Sequence, residues 1–294
     1  MQFMMLGAGY SAQAFGLSYG KKFSGKIYGT TRSPEKFAAL QKAHIKPLVL
    51  DFENLSDEFF DALAATTHLV ISIAPHQGNG KASDAVLDSP EILTQMPKLE
   101  WIGYLSTIGV YGIHNGEWID ESAACHPSLQ RNEKRLEVEK IWQEYGRQNK
   151  LAVAILRLGG IYGPSRNAFV KLRDGNKKLI IKPGQVFNRI HVEDIAGVIN
   201  AFAQKRTNGV FNIVDNEPAP PQDVIRYAAK LMGVEDLTEI PFEKAELSPM
   251  ARSFYGDNKR ILNHKLLKQG YSLKYLNYRV ALDHMWMENL WGSC

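Results

Sequence analysis

A glycine turn near the start of the chain constrains the fold more than any other sequence feature. The apolar run Met4-Met5-Leu6 passes directly into Gly7-Ala8-Gly9-Tyr10-Ser11-Ala12, and a helical pattern follows. In such a strand-to-helix turn the first glycine permits a tight bend, the second lets backbone approach a pyrophosphate, and a small third residue lets helix and strand pack closely. The phosphates then lie at the helix N-terminus, where free amide groups favour negative charge. We therefore predict a dinucleotide site that contains Gly7, Gly9, Tyr10, Ser11 and Ala12.

Short apolar segments alternate with helical segments through the first two thirds of the chain. This alternation is typical of βαβ units with right-handed crossovers. The predicted strands are 2–6, 26–30, 47–50, 68–73, 101–105, 151–156 and 210–213. The predicted helices are 12–23, 34–42, 57–65, 91–96 and 132–146. We therefore expect an α/β fold of the Rossmann type, with a doubly wound parallel sheet of about seven strands.

The sequence changes character after Gly163-Pro164. Charged residues and isolated glycines follow, and from Pro218-Ala219-Pro220-Pro221 onward helical patterns dominate. We expect a dinucleotide-binding domain of residues 1–165, to which residues 188–215 return. Residues 166–187 and 216–294 are expected to form a small, mainly helical C-terminal lobe that binds the substrate.

Composition and charge exclude several classes of protein. The 294 residues are 45% apolar and 22% charged, which is ordinary for a soluble domain. A net charge of +4 without a basic, aromatic-rich stripe does not favour a nucleic-acid partner. No apolar segment approaches the roughly 18 to 20 residues that span a bilayer, and the glycine turn begins too early for a signal peptide to precede it. Two cysteines, Cys125 and Cys294, provide neither a disulfide framework nor a metal site. We expect a cytoplasmic protein without a membrane partner or a metal.

Arg32, at the end of the second predicted strand, bears on the choice of dinucleotide. Sites for NAD usually carry an acidic residue about 20 residues after the glycines, where it binds the ribose 2′-hydroxyl. Here the first acid is Glu35, whereas Thr31 and Arg32 could hold a 2′-phosphate. A solvated loop arginine is the alternative explanation. We therefore predict NADP as the cofactor and leave NAD open.

Two further strand ends are expected to contact the cofactor. Asp51 follows the third strand and could accept a hydrogen bond from the adenine amino group, although an N-cap role explains it nearly as well. The fourth strand ends in Ser72-Ile73-Ala74-Pro75, where small residues let backbone pass close to the cofactor. We assign Ile73, Ala74 and Pro75 to the cofactor site. The glycine-rich loop 76–81 that follows is either a lid or an ordinary surface loop.

Five motifs follow one another along the chain: Gly7-Ala8-Gly9-Tyr10, Leu105-Ser106-Thr107-Ile108-Gly109-Val110-Tyr111-Gly112, Leu156-Arg157-Leu158-Gly159-Gly160-Ile161-Tyr162-Gly163-Pro164, Arg189-Ile190-His191-Val192-Glu193-Asp194-Ile195 and Val210-Phe211-Asn212-Ile213. Their order and spacing resemble those of extended short-chain dehydrogenases/reductases. The chain resembles the NAD(P)-dependent epimerase/dehydratase type of that family over nearly its full length. The resemblance implies a nucleotide sugar or similar small polar molecule as substrate, and it leaves a homodimer open because many members dimerise. We also assign Ser106 and Gly160, which lie in two of the motifs, to the cofactor site.

The family's catalytic residues map onto this chain only in part. The resemblance implies that Thr107 binds the reacting oxygen. It also places Arg131 where the family has its catalytic tyrosine and Arg135 where it has its lysine. An arginine stays protonated at working pH, so Arg131 cannot exchange a proton with a substrate and is better suited to bind an anionic substrate. Arg135 could still hold ribose hydroxyls or a carboxylate.

The source of a catalytic proton is therefore open. Tyr111, Tyr162, His76 and His191 are candidates, and each also has an explanation as a packing or surface residue. The acidic pair that follows the threonine in dehydratases is replaced by Ile108-Gly109, which disfavours elimination of water. We expect an NADP(H)-binding oxidoreductase or epimerase-like protein, and a catalytically inactive dinucleotide sensor is the alternative. The candidate catalytic residues are Thr107, Tyr111, Arg131 and Arg135.

Overall fold

The computed structural model describes residues 1–23, 26–52, 54–78 and 81–292, and all structural statements concern these residues. The chain divides into two compact units. The first unit contains residues 1–110, 129–157 and 195–211. The second unit contains residues 111–128, 158–194 and 212–294.

A seven-stranded sheet dominates the fold, and its strand order is β7-β6-β5-β4-β1-β2-β3. The strands β1, β2, β3, β4 and β5 pair in parallel, for example with Met5 opposite Gly29 and Val70. The predicted Rossmann-type parallel sheet is therefore confirmed, and each predicted strand agrees with an observed one to within about two residues. The strands are β1 (Phe3–Leu6), β2 (Ile27–Thr31), β3 (Lys46–Val49), β4 (His68–Ile71), β5 (Trp101–Thr107), β6 (Ala152–Leu158) and β7 (Gly209–Ile213).

Helices connect these strands and form much of the second unit. The helices are α1 (Tyr10–Phe23), α2 (Phe37–Lys42), α3 (Asp57–Ala65), α4 (Pro90–Thr94), α5 (Gln130–Asn149), α6 (Ala168–Arg173), α7 (Val192–Lys205), α8 (Pro221–Met232), α9 (Pro249–Phe254), α10 (His264–Lys268) and α11 (Tyr278–Met287). Short 3₁₀ helices lie at Pro34–Lys36, Ile108–Tyr111 and Phe242–Lys244. None of the helices in the described part of the chain combines the length and the apolar character needed to cross a membrane.

Four short strand pairs accompany the main sheet. Three of them are parallel and one, formed by His76–Gly78 and Lys81–Ser83, is antiparallel. The parallel pairs are Gly160–Tyr162 with Arg189–His191, Lys178–Ile181 with Thr238–Pro241, and Trp118–Ile119 with Arg260–Ile261.

The helix α1 packs closely against the sheet and against the segment after α2. All four residues of β1 are buried, as expected for a strand of a parallel sheet covered on both faces. The ring of Phe15 on α1 lies 4.9 Å from the ring of Phe3, measured between centroids. A side chain at Gly16 would collide with the carbonyl oxygen of Ala43. The glycine therefore lets α1 lie close to the segment after α2, with its N-terminus at the carboxyl end of β1.

The second unit has its own hydrophobic core. Tyr162 and Phe169 pack there with residues of α8 and α11, among them Ala228 and Tyr278. Asn167 caps α6 by accepting a hydrogen bond from the Val170 amide at 3.1 Å. The core thus joins α6 to α8 and α11 within this unit.

Candidate functional site

The glycine turn between β1 and α1 has a conformation that only glycine adopts without strain. Gly7 has a φ of +88°, and its amide donates a hydrogen bond to Thr30 Oγ1 at 2.9 Å. A Cβ atom at this position would lie 3.2 Å from both the amide nitrogen and Cγ1 of Ile73. The turn is therefore held between the end of β2 and the segment after β4.

Gly9 differs from Gly7 because it faces open space. The residue is exposed, and a Cβ atom added to it would meet no protein atom within 4 Å. Tyr10 begins α1 directly afterwards, while Ser11 and Ala12 are buried against the fold. An open turn in front of a helix N-terminus is the arrangement that lets backbone amides approach a phosphate.

The ends of β2 and β3 place the next predicted residues beside one another. The amide of Leu50 donates to the carbonyl oxygen of Thr31 at 3.0 Å. Arg32 is exposed, and it makes no hydrogen bond or ion pair with any residue that the structure describes. Asp51 is also exposed and accepts a hydrogen bond from Asn54 Nδ2 at 3.3 Å. Thr31, Arg32 and Asp51 thus lie at the carboxyl ends of β2 and β3. The guanidinium group of Arg32 is available to a ligand there.

The segment after β4 lies against the glycine turn. The amide of Ser72 donates to the carbonyl oxygen of Leu6 at 2.9 Å. Ala74 is exposed, whereas Ile73 and Pro75 are half-buried. In the loop predicted as a lid, His76 Nε2 lies 2.6 Å from Asp88 Oδ2, and residues 79 and 80 are outside the described part. The backbone of Ser72 and Ile73 is therefore next to the turn.

Thr107 ends β5 with its hydroxyl group oriented by the backbone. Its Oγ1 accepts a hydrogen bond from the Gly109 amide at 3.1 Å, and the side chain is half-buried. No acceptor for the threonine proton is found among the described residues. The hydroxyl can therefore still donate a hydrogen bond to a ligand oxygen.

Arg131 and Arg135 lie on the same face of α5, because they are one helical turn apart. Arg131 is exposed in the first turn of the helix, and Arg135 is half-buried. The Nη1 atom of Arg135 donates to the carbonyl oxygen of Leu105 at 2.7 Å. The guanidinium carbon lies 5.9 Å from the centre of the Tyr104 ring. Arg135 is thus fixed beside the end of β5.

A buried charge network lies one turn further along α5, and the sequence reasoning missed it. Arg157 donates to Glu139 Oε2 through Nη2 at 2.7 Å and through Nε at 3.1 Å. Ser106 donates a short hydrogen bond to the other carboxylate oxygen of Glu139. Glu139 is 1% exposed and Arg157 is 6% exposed. An arginine inside the apolar run of β6 was the available signal, because a buried guanidinium requires a buried partner.

Tyr111 and Gly160, two other predicted site residues, belong to the second unit. Tyr111 is completely buried, and its hydroxyl donates to Asn212 Oδ1 at 2.7 Å. Gly160 is exposed and lies opposite Arg189 in its strand pair. The hydroxyl proton of Tyr111 is therefore already donated to a protein acceptor. This arrangement is typical of a buried packing residue and not of a proton donor that faces a ligand.

The two other buried candidates for proton exchange are held in their neutral forms. His191 is buried, its Nδ1 accepts from the Glu193 amide at 3.3 Å, and burial lowers its pKa to about 3. Burial also raises the pKa of Tyr162 well above its usual value. Neither group changes its protonation state near neutral pH. Within the described ranges, no group of three or more His, Cys, Asp or Glu side chains is arranged to hold a metal ion.

Asp215 provides a prediction about stability and pH. The residue is 2% exposed, Oδ1 accepts from the Glu217 amide at 3.1 Å, and Oδ2 has no hydrogen-bond partner in the described structure. Burial raises the pKa of this carboxyl group to about 7. Asp215 therefore keeps its proton in the folded protein at pH values where the unfolded chain, with a pKa near 4, has released it. Its contribution to the free energy of unfolding falls as the pH rises from about 4 to 7.

We expect Asp215→Asn to raise the unfolding temperature at pH 8, with a gain that shrinks towards pH 5. The amide can keep the hydrogen bond from Glu217 without a buried charge. Calorimetric scans across this pH range provide the measurement. Asp236→Asn is the control of opposite sign, because the hydrogen bond from Lys177 lowers the pKa of that exposed carboxylate. A gain for Asp215→Asn that did not change with pH would contradict the prediction.

Comparison with known proteins identifies the family of this chain. Residues 25–214 match the model of the NAD dependent epimerase/dehydratase family. The chain belongs to this family. A functionally unknown conserved protein from Silicibacter pomeroyi is 41% identical to this family member, with 98% of each chain covered and a TM-score of 0.88. The resemblance inferred from the five motifs is thereby confirmed.

Two more distant proteins extend the comparison. The human epimerase family protein SDR39U1, solved with NADPH, shares the fold at 15% identity, with 98% of this chain and 99% of that chain covered and a TM-score of 0.68. A 3-diazoavenalumate denitrifying reductase from Streptomyces is 29% identical over 108 residues. That match covers 34% of this epimerase/dehydratase family member and 34% of the reductase, about a third of each protein.

Proposed function

We propose that this family member binds NADP(H) and transfers hydride to or from a small polar or sugar-nucleotide-like substrate. The observation that carries the proposal is the open glycine turn, together with the unpaired Arg32 at the adjacent strand end. The turn provides backbone amides for a pyrophosphate, and Arg32 provides a fixed positive charge for a 2′-phosphate. NAD is the alternative cofactor.

The residues at the sheet edge suit the parts of a dinucleotide. Gly7, Gly9 and the first turn of α1 would hold the pyrophosphate, and Thr31 with Arg32 would hold the 2′-phosphate. Asp51 would accept from the adenine amino group, while Ile73, Ala74 and Pro75 would pass beneath the cofactor. The bound cofactor would supply or accept a hydride.

The chain's own residues then orient the substrate. Thr107 would donate a hydrogen bond to the reacting oxygen, because the Gly109 amide already occupies one acceptor site of its hydroxyl. Arg135 retains donors beyond the one given to Leu105, and these suit ribose hydroxyls. Arg131 would bind an anionic part of the substrate. Ser106 would act through its bond to Glu139 by fixing the end of β5.

The remaining parts of the proposal concern the rest of the chain. Residues 166–187 and 216–294 would supply the substrate lobe. The reductase name of the Streptomyces relative supports hydride transfer rather than elimination of water. A cytoplasmic location and a homodimer complete the proposal.

A dinucleotide sensor without turnover is the second candidate. Arginines at positions 131 and 135 favour it, and so does the commitment of the Tyr111 hydroxyl to Asn212. Oxidation of NADPH in the presence of ketones, aldehydes or nucleotide sugars would identify the enzyme. Tight dinucleotide binding without turnover across such a panel would identify the sensor.

The test of the cofactor is Arg32→Gln. We expect the dissociation constant for NADPH to rise by about tenfold or more, because a charge-assisted contact to the 2′-phosphate is lost, while NADH binding stays the same. Titration followed by tryptophan fluorescence or calorimetry provides both constants. Lys36→Gln, which removes an exposed charge from the adjacent 3₁₀ helix, is the control. An equal loss of affinity for NADPH and NADH in Arg32→Gln would contradict the assignment of Arg32 to the 2′-phosphate. Failure of the unaltered protein to bind either nucleotide would overturn the proposed function.

A further inference from the structure

A surface cavity of about 390 Å³ lies where the strands of the main sheet begin, opposite to the glycine turn. Its lining includes Gly20 and Lys21 of α1, Gln41 of α2, and His44, Ile45 and Lys46. Helices and strands of a βαβ unit run in opposite directions, so the ends of α1 and α2 meet the start of β3 there. Of the described residues that line this cavity, none belongs to the proposed dinucleotide site.

The part of the chain that forms this cavity is strongly basic. The first 50 residues contain seven Lys or Arg residues and one acid, Glu35, which gives a net charge of +6 against +4 for the whole chain. The other 244 residues therefore carry a net charge of −2. Lys21 and Lys46 line the cavity, and Lys22 and Lys42 are exposed in the last turns of the two helices beside it. Such a concentration of one sign of charge attracts anions.

Helix ends explain only some of these cations. Basic residues in the last turn of a helix interact favourably with its dipole, which accounts for Lys21, Lys22 and Lys42. Lys46 begins β3 instead, and it lies opposite Tyr28 of β2 with Nζ 5.3 Å from the centre of the tyrosine ring. It forms no ion pair with a described residue. The contact with the ring holds an uncompensated ammonium group at the cavity.

His44 adopts a backbone conformation that favours glycine. The helix α2 ends in a Schellman motif, in which the His44 amide donates to the Gln41 carbonyl oxygen at 2.9 Å. The Ile45 amide donates to the Leu40 carbonyl oxygen, also at 2.9 Å. Glycine is usual at the position of His44 in this motif, and the histidine takes it with a φ of +56°. Its imidazole makes no hydrogen bond or ion pair with a described residue, so no polar contact inside the described protein offsets the backbone strain.

Gly20 departs from local preference in the complementary way. It lies near the end of α1, where alanine would favour the helix. A Cβ atom added to Gly20 would lie 2.3 Å from Cβ of His44 and 3.1 Å from its Cγ. Local preferences alone favour the reverse arrangement, with glycine after α2 and a larger residue on α1. The observed arrangement instead places the imidazole against α1 in the wall of the cavity.

We propose that this cavity binds a small phosphate monoester, with the phosphate group held by Lys21, Lys46 and the imidazole of His44. A phosphate monoester carries a charge of about −1.5 to −2 at neutral pH, which two ammonium groups match better than they match a singly charged carboxylate. The imidazole and the Gln41 amide supply further hydrogen-bond donors. Sites for small molecules range from roughly 300 to 1,000 Å³, so the cavity also has room for an organic part. The site shares no residue with the proposed dinucleotide site and does not rest on the proposed function.

The experiment uses the full chain free of cofactor. Inorganic phosphate, glycerol 3-phosphate and acetate are titrated separately at constant ionic strength with chloride as the balancing ion, and binding is followed by calorimetry. We expect saturable binding of both phosphates with a dissociation constant on the order of 1 mM, and no saturation by acetate. Lys21→Gln and Lys46→Gln should each weaken phosphate binding by about threefold, and the double variant by about tenfold. Both lysines are exposed, so the variants should fold.

His44→Gly separates a binding role from a structural one. We expect it to weaken phosphate binding by about threefold and to raise the unfolding temperature by about 1 to 3 °C, because glycine relieves the strain after α2. Lys150→Gly is the matched control, since Lys150 follows α5 in the same left-handed conformation with a φ of +54°. It should raise the unfolding temperature in the same way and leave phosphate binding unchanged.

Arg32→Gln distinguishes this cavity from the proposed dinucleotide site, and it should leave binding of inorganic phosphate to the cavity unchanged. Phosphate binding that is lost in Arg32→Gln but unchanged in Lys21→Gln and Lys46→Gln would belong to the dinucleotide site and would overturn the proposal. Absence of saturation by either phosphate up to about 50 mM, far above the expected constant, overturns it as well. Acetate binding as tight as phosphate binding would contradict the assignment to a phosphate group.

Discussion

Arg157→Leu is expected to lower the free energy of unfolding by about 3 to 5 kcal/mol, because it leaves the Glu139 carboxylate buried without a counter-ion. Both side chains are almost fully buried, and two hydrogen bonds from the guanidinium group end on Glu139 Oε2. Ser106 alone cannot compensate a full negative charge. Urea unfolding followed by circular dichroism gives the free energy directly.

The chain contains a matched control for this substitution. Arg206 donates to Glu100 Oε2 through Nε at 3.0 Å and Nη2 at 2.6 Å, but the two side chains are 60% and 41% exposed. Arg206→Leu should therefore cost about 1 kcal/mol or less, since water solvates the charge left behind. The difference in lost unfolding free energy between Arg157→Leu and Arg206→Leu measures how burial changes the contribution of an arginine–glutamate ion pair.

The double variant Arg157→Leu with Glu139→Leu separates charge from packing. Removal of both charges should recover much of the loss, because an apolar pair of similar volume replaces the desolvated ions. Two results would show that the buried network is not the source of the effect. One is an equal loss of unfolding free energy in Arg157→Leu and Arg206→Leu. The other is a double variant whose loss exceeds the sum of the losses of its two single variants.

The second large effect is expected for Gly9→Ala, which should weaken dinucleotide binding by about tenfold to a hundredfold with no loss of stability. The added methyl group meets no protein atom within 4 Å, so the unliganded fold should accept it. A pyrophosphate placed on the turn would contact it, and a steric overlap of this kind costs about 1 to 3 kcal/mol. Fluorescence titration with NADPH and thermal unfolding provide the two readouts.

Gly184→Ala is a control with the opposite pattern. This residue is exposed, has a φ of +75° and would also place its Cβ in open space. The substitution should reduce stability, since a non-glycine residue is strained in this conformation, and leave dinucleotide affinity unchanged. If Gly9→Ala bound NADPH as tightly as the unaltered protein, the phosphates would not lie on the glycine turn.

The sequence predicted the elements whose signals are local. Most strands of the main sheet are apolar runs bounded by polar or turn residues. β2 ends in two threonines and β3 begins with an exposed lysine, so their signal is weaker, but all seven strands were located from their own residues. The glycine turn is also local, and its position between β1 and α1 is confirmed. Helix ends were less accurate: α5 extends from 130 to 149 where 132–146 was expected, because charged terminal residues carry no hydrophobic period.

The parts of the site that depend on distant partners could not be predicted in this way. Ser106 and Glu139 are 33 residues apart, and Tyr111 and Asn212 are 101 residues apart. The motif around Tyr111 carries part of the family resemblance, but only the fold shows that the tyrosine hydroxyl already has an acceptor. The catalytic and cofactor roles of the individual residues stay predictions until the variants are measured.

The contact between Gly7 and Ile73 affects how much order a nucleotide must impose on the protein. Thr30 fixes the turn from one side and the backbone after β4 supports it from the other, so the amides that we propose to bind the phosphates are already in place before binding. Such preorganisation reduces the entropic cost of association. In the proposed complex Arg32, which is exposed and untethered, would instead have to lose its side-chain freedom. The turn would then act as a rigid platform, and selectivity for the 2′-phosphate would rest on the one side chain that must still become ordered.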